Sequence, residues 1–98
     1  MADDRLRTPD VDRLIEALLT LENPDDVYAF LQDVATVREI HDMAQRLAVA
    51  RMLAAGEHYD TVRDATGAST TTISRVSRCL NYGADGYRTV IARLDGAE

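Results

Sequence analysis

Apolar residues recur every three or four positions along most of this chain, which is the spacing of amphipathic helices. The first such stretch begins at Pro9 and the second at Pro24, each directly behind a residue that can cap a helix. Thr36 and Glu39 form a capping box before a long third stretch that ends at Gly56. No segment alternates apolar and polar residues as a strand would. The pattern therefore predicts an all-α fold.

The first three predicted helices carry apolar residues on several faces. A chain of 98 residues can bury only about 60–65% of its surface as a monomer. We therefore expect a partner subunit, and a symmetric homodimer is the simplest arrangement. The predicted stripes are Val11, Leu14, Ile15, Leu18 and Leu19 in the first helix, Val27, Tyr28, Phe30, Leu31 and Val34 in the second, and Ile40, Met43, Ala44, Leu47, Ala50 and Ala54 in the third, with Val49 and Leu53 beside the last stripe.

Residues 62–76 have the pattern of a DNA-binding helix-turn-helix. Gly67 can adopt the positive φ that a sharp helix exit needs, and Ser69 is a good N-cap for a second helix. Ala65 offers a small side chain where two steeply crossing helices would touch. In such a pair the second helix enters the major groove. The alternative interpretation is an ordinary helical hairpin whose polar side faces water.

The second helix of this pair separates its side chains by angle. At about 100° per residue, Ile73, Val76 and Leu80 fall on one side. The opposite side carries hydroxyl and guanidinium groups and no carboxylate, which favours nucleic acid over solvent. The predicted DNA-contacting residues are Ser69, Thr70, Thr71, Ser74, Arg75 and Arg78, with Arg63 of the preceding helix as a further phosphate contact.

The pattern predicts a flexible tail over residues 1–8 and one helical DNA-binding domain over residues 9–94. Within this domain, residues 9–55 form the N-terminal dimerisation helices, residues 59–80 the helix-turn-helix, and residues 86–94 a C-terminal helix. A symmetric dimer would place its two reading helices about one DNA turn, 34 Å, apart.

The distribution of charge supports DNA as a partner, although the net charge of −6 does not. Residues 1–45 carry 4 arginines against 11 acidic residues, whereas residues 46–94 carry 7 arginines against 4 acidic residues. The basic half thus contains the turn motif, as phosphate binding requires. Every basic residue is arginine, which suits bidentate contacts to phosphate or guanine.

Other classes of function find little support in the sequence. There is no apolar run near 18 residues and no signal-peptide pattern, so we expect a cytoplasmic protein without a membrane partner. Cys79 is the only cysteine, which excludes an internal disulfide, and His41, His58 and Cys79 lack the spacing of a zinc site. With no nucleophile–base pair and no glycine-rich phosphate loop, we predict no enzyme activity, no metal and no cofactor.

Residues 36–88 resemble the tryptophan-repressor superfamily, and within it the tryptophan-repressor-related proteins of the YerC/YecD type; residues 11–35 match more loosely. The resemblance implies an interlocked all-helical homodimer in which the N-terminal helices of two chains wrap around each other. It also implies transcriptional regulation through operator binding. The matching segments are Met43-Ala-Gln-Arg-Leu-Ala-Val-Ala-Arg-Met-Leu, Thr66-Gly-Ala-Ser-Thr-Thr-Thr-Ile-Ser-Arg and Arg78-Cys-Leu-Asn-Tyr-Gly-Ala-Asp-Gly-Tyr.

The resemblance further implies a tryptophan pocket beside the turn motif, with Thr36, Arg46 and Arg75 at ligand-contacting positions. Two other pocket positions differ, because Val76 stands for a glycine and Cys79 for a serine. Val76 adds a branched side chain where a ligand needs open space, and a thiol is a weaker hydrogen-bonding group than a hydroxyl. We therefore predict no response to tryptophan and no small-molecule effector.

Two alternatives stay open. Arg75 lies at the edge between the polar side and the side of Val76 and Cys79, so it could contact DNA, a ligand or an internal carboxylate. With the pocket expected to be closed, we favour DNA or the internal pair. The whole protein could also be a protein-interaction adaptor on the same fold, or a weakly specific architectural DNA binder, since Thr and Ser discriminate bases poorly.

Overall fold

The computed structural model describes residues 4–96, in which helices are the only regular elements. A 3-10 turn spans Asp4–Leu6. Six α-helices follow: α1 (Pro9–Leu19), α2 (Pro24–Val34), α3 (Val37–Ala54), α4 (Tyr59–Thr66), α5 (Thr70–Tyr82) and α6 (Gly86–Leu94). The prediction of an all-α fold is confirmed. Across residues 4–96, none of these helices has the length and apolar character needed to cross a membrane.

The first two helices begin where their capping residues predict. The Thr8 side chain accepts a hydrogen bond from the Val11 amide at 3.2 Å, and the Asn23 side chain accepts one from the Asp26 amide at 2.9 Å. Each helix has proline in its first turn, where a missing N–H costs nothing. Of the predicted flexible tail, residues 1–3 lie outside the described residues, and its mobility stays a prediction.

The capping box that opens α3 is complete. Thr36 accepts the Glu39 amide on its hydroxyl at 3.1 Å, and its own amide donates to the Glu39 carboxylate at 2.8 Å. The hydrogen bond from the Thr36 amide, followed by that with its hydroxyl, holds the pKa of Glu39 below its ordinary value of 4.5. The charged form of Glu39 is therefore the form that stabilises the start of α3.

This lowered pKa predicts an acid-sensitive contribution to stability. Because the pKa of Glu39 is lower in the folded chain, its contribution is fully present above 4.5 and is lost as the pH falls through the folded value. We expect wild type to lose more unfolding free energy than Glu39→Gln between about pH 7 and about pH 3, as measured by urea denaturation. Glu22→Gln, in the exposed loop between α1 and α2, is the control and should behave as wild type. Equal losses in wild type and Glu39→Gln would contradict the assignment.

The described chain forms two compact units, the first ending at Ile40 and the second beginning at His41. The first unit has no buried residue in α1 or α2. Leu14 and Leu18 of α1 are 42% and 43% exposed, and Tyr28 of α2 is 61% exposed. Much of the apolar surface that the sequence predicts for these two helices is therefore exposed, and another protein surface could pack against it.

The second unit contains the buried core, to which α3, α4, the turn before α5, α5 and α6 all contribute. Its partly buried margin is formed by Leu47, Met52, Leu53 and Tyr87. The buried residues of this core are Val49, Ala50, Val62, Ala68, Ile73, Val76, Leu80 and Ile91.

The face that α3 buries differs from the predicted stripe. Val49, placed beside the stripe by sequence, is completely buried, whereas Met43 within the stripe is 43% exposed. Ala44 and Ala54, also within it, are exposed. The helix α3 carries apolar residues on two sides, and the single stripe predicted from the sequence combines residues from both sides. One side packs into the core of the second unit and the other stays open.

Candidate nucleic-acid interface

The turn between α4 and α5 has the geometry that its sequence predicts. Gly67 adopts a left-handed conformation with φ of 73°, and its amide donates to the Arg63 carbonyl at 2.8 Å. This conformation favours glycine because it has no Cβ. Ser69 then caps α5, since its hydroxyl accepts the Thr72 amide at 3.1 Å. The chain thus leaves α4 sharply and enters α5 after three residues.

The sequence predicts that Ala65 is the small residue at the contact between the two helices. In the structure, the small residue that packs at this turn is Ala68. Ala68 is 2% exposed and belongs to the buried core, whereas Ala65 is exposed. The core contact of α4 is instead Val62, which is fully buried. A residue between a helix-ending glycine and a helix-capping serine carries no periodicity signal, so its inward position could not be recognised.

A second feature that the sequence did not reveal links α3 to this turn. The Gln45 side-chain amide donates to the Thr66 carbonyl at 3.1 Å, in a partly buried position. The Thr66 hydroxyl donates to the Val62 carbonyl at 2.7 Å and accepts the Ala68 amide at 3.2 Å. Gln45 and Thr66 are 21 residues apart, and a bond between such positions leaves no local pattern.

The two sides of α5 separate as predicted. Ile73, Val76 and Leu80 are 0%, 2% and 5% exposed and anchor the helix in the core. The opposite side is open to solvent, so the predicted contact residues are brought together on one accessible surface. The exposed residues of that surface are Ser69, Thr70, Thr71, Ser74, Arg75 and Arg78, and we call it the α5 face.

The cations of the α5 face have no counter-charge on their own helix. α5 contains no acidic residue, and within residues 4–96 neither Arg75 nor Arg78 forms an ion pair. The internal carboxylate partner considered for Arg75 is therefore not found in the described chain. Arg63 differs, because it lies 3.4 Å from a carboxylate oxygen of Asp60 and 3.4 Å from one of Asp64.

Ser69 has its hydroxyl proton already engaged. Besides accepting the Thr72 amide, the hydroxyl donates to the Thr72 hydroxyl at 3.1 Å. Phosphate oxygens only accept hydrogen bonds, so Ser69 would have to turn its hydroxyl proton away from Thr72 to donate to one. Its structural role in the described chain is to cap α5.

The helix α5 ends at Tyr82, two residues beyond the predicted end at Leu80, and a residue of α6 bonds to its last turn. The Arg88 guanidinium donates to the Leu80 carbonyl at 3.0 Å and to the Asn81 side chain at 3.2 Å. Asn81 in turn donates to the Ser77 carbonyl at 3.0 Å. The bond to the Leu80 carbonyl satisfies one of the backbone groups that the last turn of a helix leaves without intrahelical partners.

A cavity of about 330 Å³ lies beside the α5 face. It brings together Arg46 and Arg75, two of the three positions that the resemblance assigns to a ligand. Val76 forms one wall of the cavity and does not close it, because its side chain is directed into the core and is 2% exposed. Thr36, the third position, caps α3. The full lining is Arg46, Thr72, Arg75, Val76, Cys79 and Tyr87.

No metal site is evident in the part of the chain that the structure describes. Over residues 4–96, no group of three His, Cys, Asp or Glu side chains is placed to hold an ion. Cys79 is an exposed free thiol.

Comparison with known proteins gives a consistent result. Residues 9–95 match the family model described as Trp repressor protein. The chain is 46% identical over 98 residues to the uncharacterized protein YerC of Bacillus subtilis strain 168, covering 100% of this chain and 94% of that protein. It also resembles the crystal structure of a TrpR-like protein from Eubacterium eligens, with a TM-score of 0.90 and 46% identity over 98% of this chain and 99% of that one. For a candidate Trp repressor from Staphylococcus aureus the TM-score is 0.89 and the identity 44%, over 94% of this chain and 92% of that one.

Proposed function

Because the chain belongs to the Trp repressor family, we propose that it is a DNA-binding transcriptional regulator that reads duplex DNA as a homodimer. The observation that carries this proposal is the α5 face. It is exposed, contains no carboxylate and presents Arg75 and Arg78 without ion-pair partners in residues 4–96.

The side chains of the α5 face divide by chemistry. Arg75 and Arg78 offer forked donors that suit phosphate or the acceptor edge of guanine. Thr70 and Thr71 stand in the first turn of α5, where free backbone amides and the helix dipole favour a phosphate. Ser74, one turn further on, supplies a hydroxyl that can approach a base edge or a phosphate.

Two of the predicted contacts have secondary roles in this proposal. Ser69 orients the first turn of α5 by capping it, and its proton is engaged with Thr72. Arg63 can reach a phosphate only in competition with Asp60 and Asp64. We therefore place most of the affinity on Arg75 and Arg78.

The homodimer is supported by the apolar surface of the first unit. Helices of 11 residues are marginal in water unless they pack against something, and α1 and α2 have no buried residue. A second copy would cover these stripes and present a second α5 face, at a spacing near one DNA turn of about 34 Å. The expected binding site is accordingly two-fold symmetric.

We also propose that DNA binding does not require tryptophan. The support for this is the lining of the cavity, in which Val76 and Cys79 stand where the resemblance implies a glycine and a serine. Of the residues of the α5 face, Arg75 alone also lines this cavity, and the cap of α5 is made by the chain's own Ser69.

Selection of bound fragments from genomic DNA, with and without tryptophan, tests this function. We expect enrichment of a symmetric site with half-site centres about 10 base pairs apart, unaffected by tryptophan and persisting near physiological salt. Binding without enrichment would indicate an architectural role, and no binding at that salt concentration would favour an adaptor. Enrichment only in the presence of tryptophan would contradict the ligand-independent part of the proposal.

A further inference from the structure

The carbonyl of Thr66 is one of the groups that the end of a helix leaves without a partner. α4 ends at Thr66, and Gly67 turns the chain toward α5. In this structure the Gln45 side-chain amide donates to that carbonyl at 3.1 Å. Within residues 4–96, no other α3 side chain makes a hydrogen bond to residues 59–80. Gln45 is thus the polar link between the helix that crosses the core and the α4–α5 segment.

The groups around that carbonyl make the turn a closed unit. The Thr66 hydroxyl bridges the Val62 carbonyl, at 2.7 Å, and the Ala68 amide, at 3.2 Å. Ala68 itself is 2% exposed, so the chain is held on its apolar side as well. With Gly67 already in its left-handed conformation, the direction in which the chain enters α5 depends on few remaining torsions. Gln45 fixes the upstream end of this unit.

We propose that Gln45 is a positioning residue, which sets the orientation of α5 relative to α3 by holding the Thr66 carbonyl. Its consequence for DNA, which rests on the proposed function, is that Gln45 controls sequence discrimination without touching a base. Base contacts depend on small displacements of the reading helix, whereas contacts to phosphates tolerate them better. Loss of Gln45 should therefore reduce specificity more than overall electrostatic affinity.

A purely structural role for Gln45 would instead appear as a clear loss of unfolding free energy in Gln45→Met, which the positioning role does not require. The Thr66 residue is only partly buried, so water can bind its carbonyl when Gln45 is absent. The unfolding free energy should then change little, while the turn gains freedom. Orientation and specificity therefore test the positioning role, and stability tests the purely structural one.

The first experiment uses the full chain without DNA. Gln45→Met keeps the length of the side chain and removes its donors. Residual dipolar couplings of backbone amides should show a changed orientation of α5 relative to α3, and the Ala68 amide should exchange with solvent several-fold faster. Gln45→Lys, which restores a donor on a longer stem, should return the couplings toward those of wild type. Gln32→Met on the exposed surface of α2 is the matched control and should leave both measurements unchanged.

The second experiment measures affinity for the selected site and for a random duplex. For Gln45→Met we expect the ratio of these affinities to fall about tenfold, with the salt dependence unchanged because the arginines remain. Wild-type couplings in Gln45→Met would overturn the inference whatever happens with DNA. Altered couplings with an unchanged affinity ratio would overturn its specificity part. If wild type prefers no sequence, the proposed function fails, and the couplings alone then decide the positioning role.

Discussion

Replacing Arg75 and Arg78 together by alanine is expected to weaken binding to duplex DNA at least about 100-fold. Each guanidinium is exposed, lies on a helix without acidic residues and has no ion pair within residues 4–96, so DNA need not displace a paired carboxylate to reach it. A hydrogen bond to a charged group contributes about 1.5–3 kcal/mol, and two are lost in each protomer. The slope of log affinity against log salt should also fall, by about 0.9 for each phosphate contact removed.

The matched control is Arg13→Ala combined with Arg93→Ala. It removes the same formal charge from α1 and from the last turn of α6, and the Arg13–Glu16 pair that it breaks is exposed and contributes little. Fluorescence anisotropy over a series of salt concentrations should separate the two proteins. An equal loss in both would show that net charge, and not the α5 face, governs affinity. If the Arg75→Ala/Arg78→Ala variant bound DNA with the affinity and salt dependence of wild type, the α5 face would be excluded from the interface.

The largest expected effect on assembly comes from α1. In Leu14→Glu combined with Leu18→Glu, two carboxylates replace apolar side chains that are 42% and 43% exposed in the single chain. If a second copy covers this stripe, each substitution removes the burial of the fraction still exposed in the single chain, about 1 kcal/mol, and adds the cost of desolvating a charge. We expect the dissociation constant of the dimer to rise at least about 100-fold, as measured by sedimentation equilibrium.

Arg13→Glu provides the comparison on the same helix. It changes the net charge by the same amount, but its side chain is 84% exposed and, within residues 4–96, its ion pair is with Glu16 across one turn. This variant should sediment as wild type does. If the Leu14→Glu/Leu18→Glu variant sedimented with the same assembly mass as wild type, α1 would not be the dimer interface. A wild type that sediments as a monomer would remove the homodimer from the proposed function.

Local signals in the sequence predicted the helix starts and the α5 face. A cap such as Thr36 and a glycine such as Gly67 act on groups within three or four residues, so their chemistry can be recognised without a tertiary fold. The buried side of α5 follows from the helical period alone, and Ile73 and Val76 lie where that period places them.

What the sequence did not predict depends on distant partners or on irregular backbone. Gln45 and Arg88 are polar residues on helices, and only the folded chain shows that they bond to the turn before α5 and to its last turn. Ala68 is buried by the path of a turn, which has no period. The branched side chain of Val76 predicts that it fills the ligand space. The sequence does not show that this side chain is directed into the core, where it forms a wall of the cavity.

The resemblance added what local physics could not supply. It associated Arg46 with Arg75 across 29 positions of sequence, and the structure places both at one cavity. It associated Thr36 with them as well, whereas the described role of Thr36 is the cap of α3. The family role is therefore compatible with the positions of Arg46 and Arg75, whereas Thr36 has a structural role of its own.

The lack of any buried residue in α1 and α2 has a consequence for how much active protein a cell contains. In the proposed homodimer the second chain packs on these short helices, so their folding would be coupled to the encounter of two chains. At low abundance these segments would open and become accessible to proteases, while the second unit keeps its own core. Gene dosage would then influence turnover as well as occupancy, and a regulator built in this way would be removed most rapidly when it is scarce.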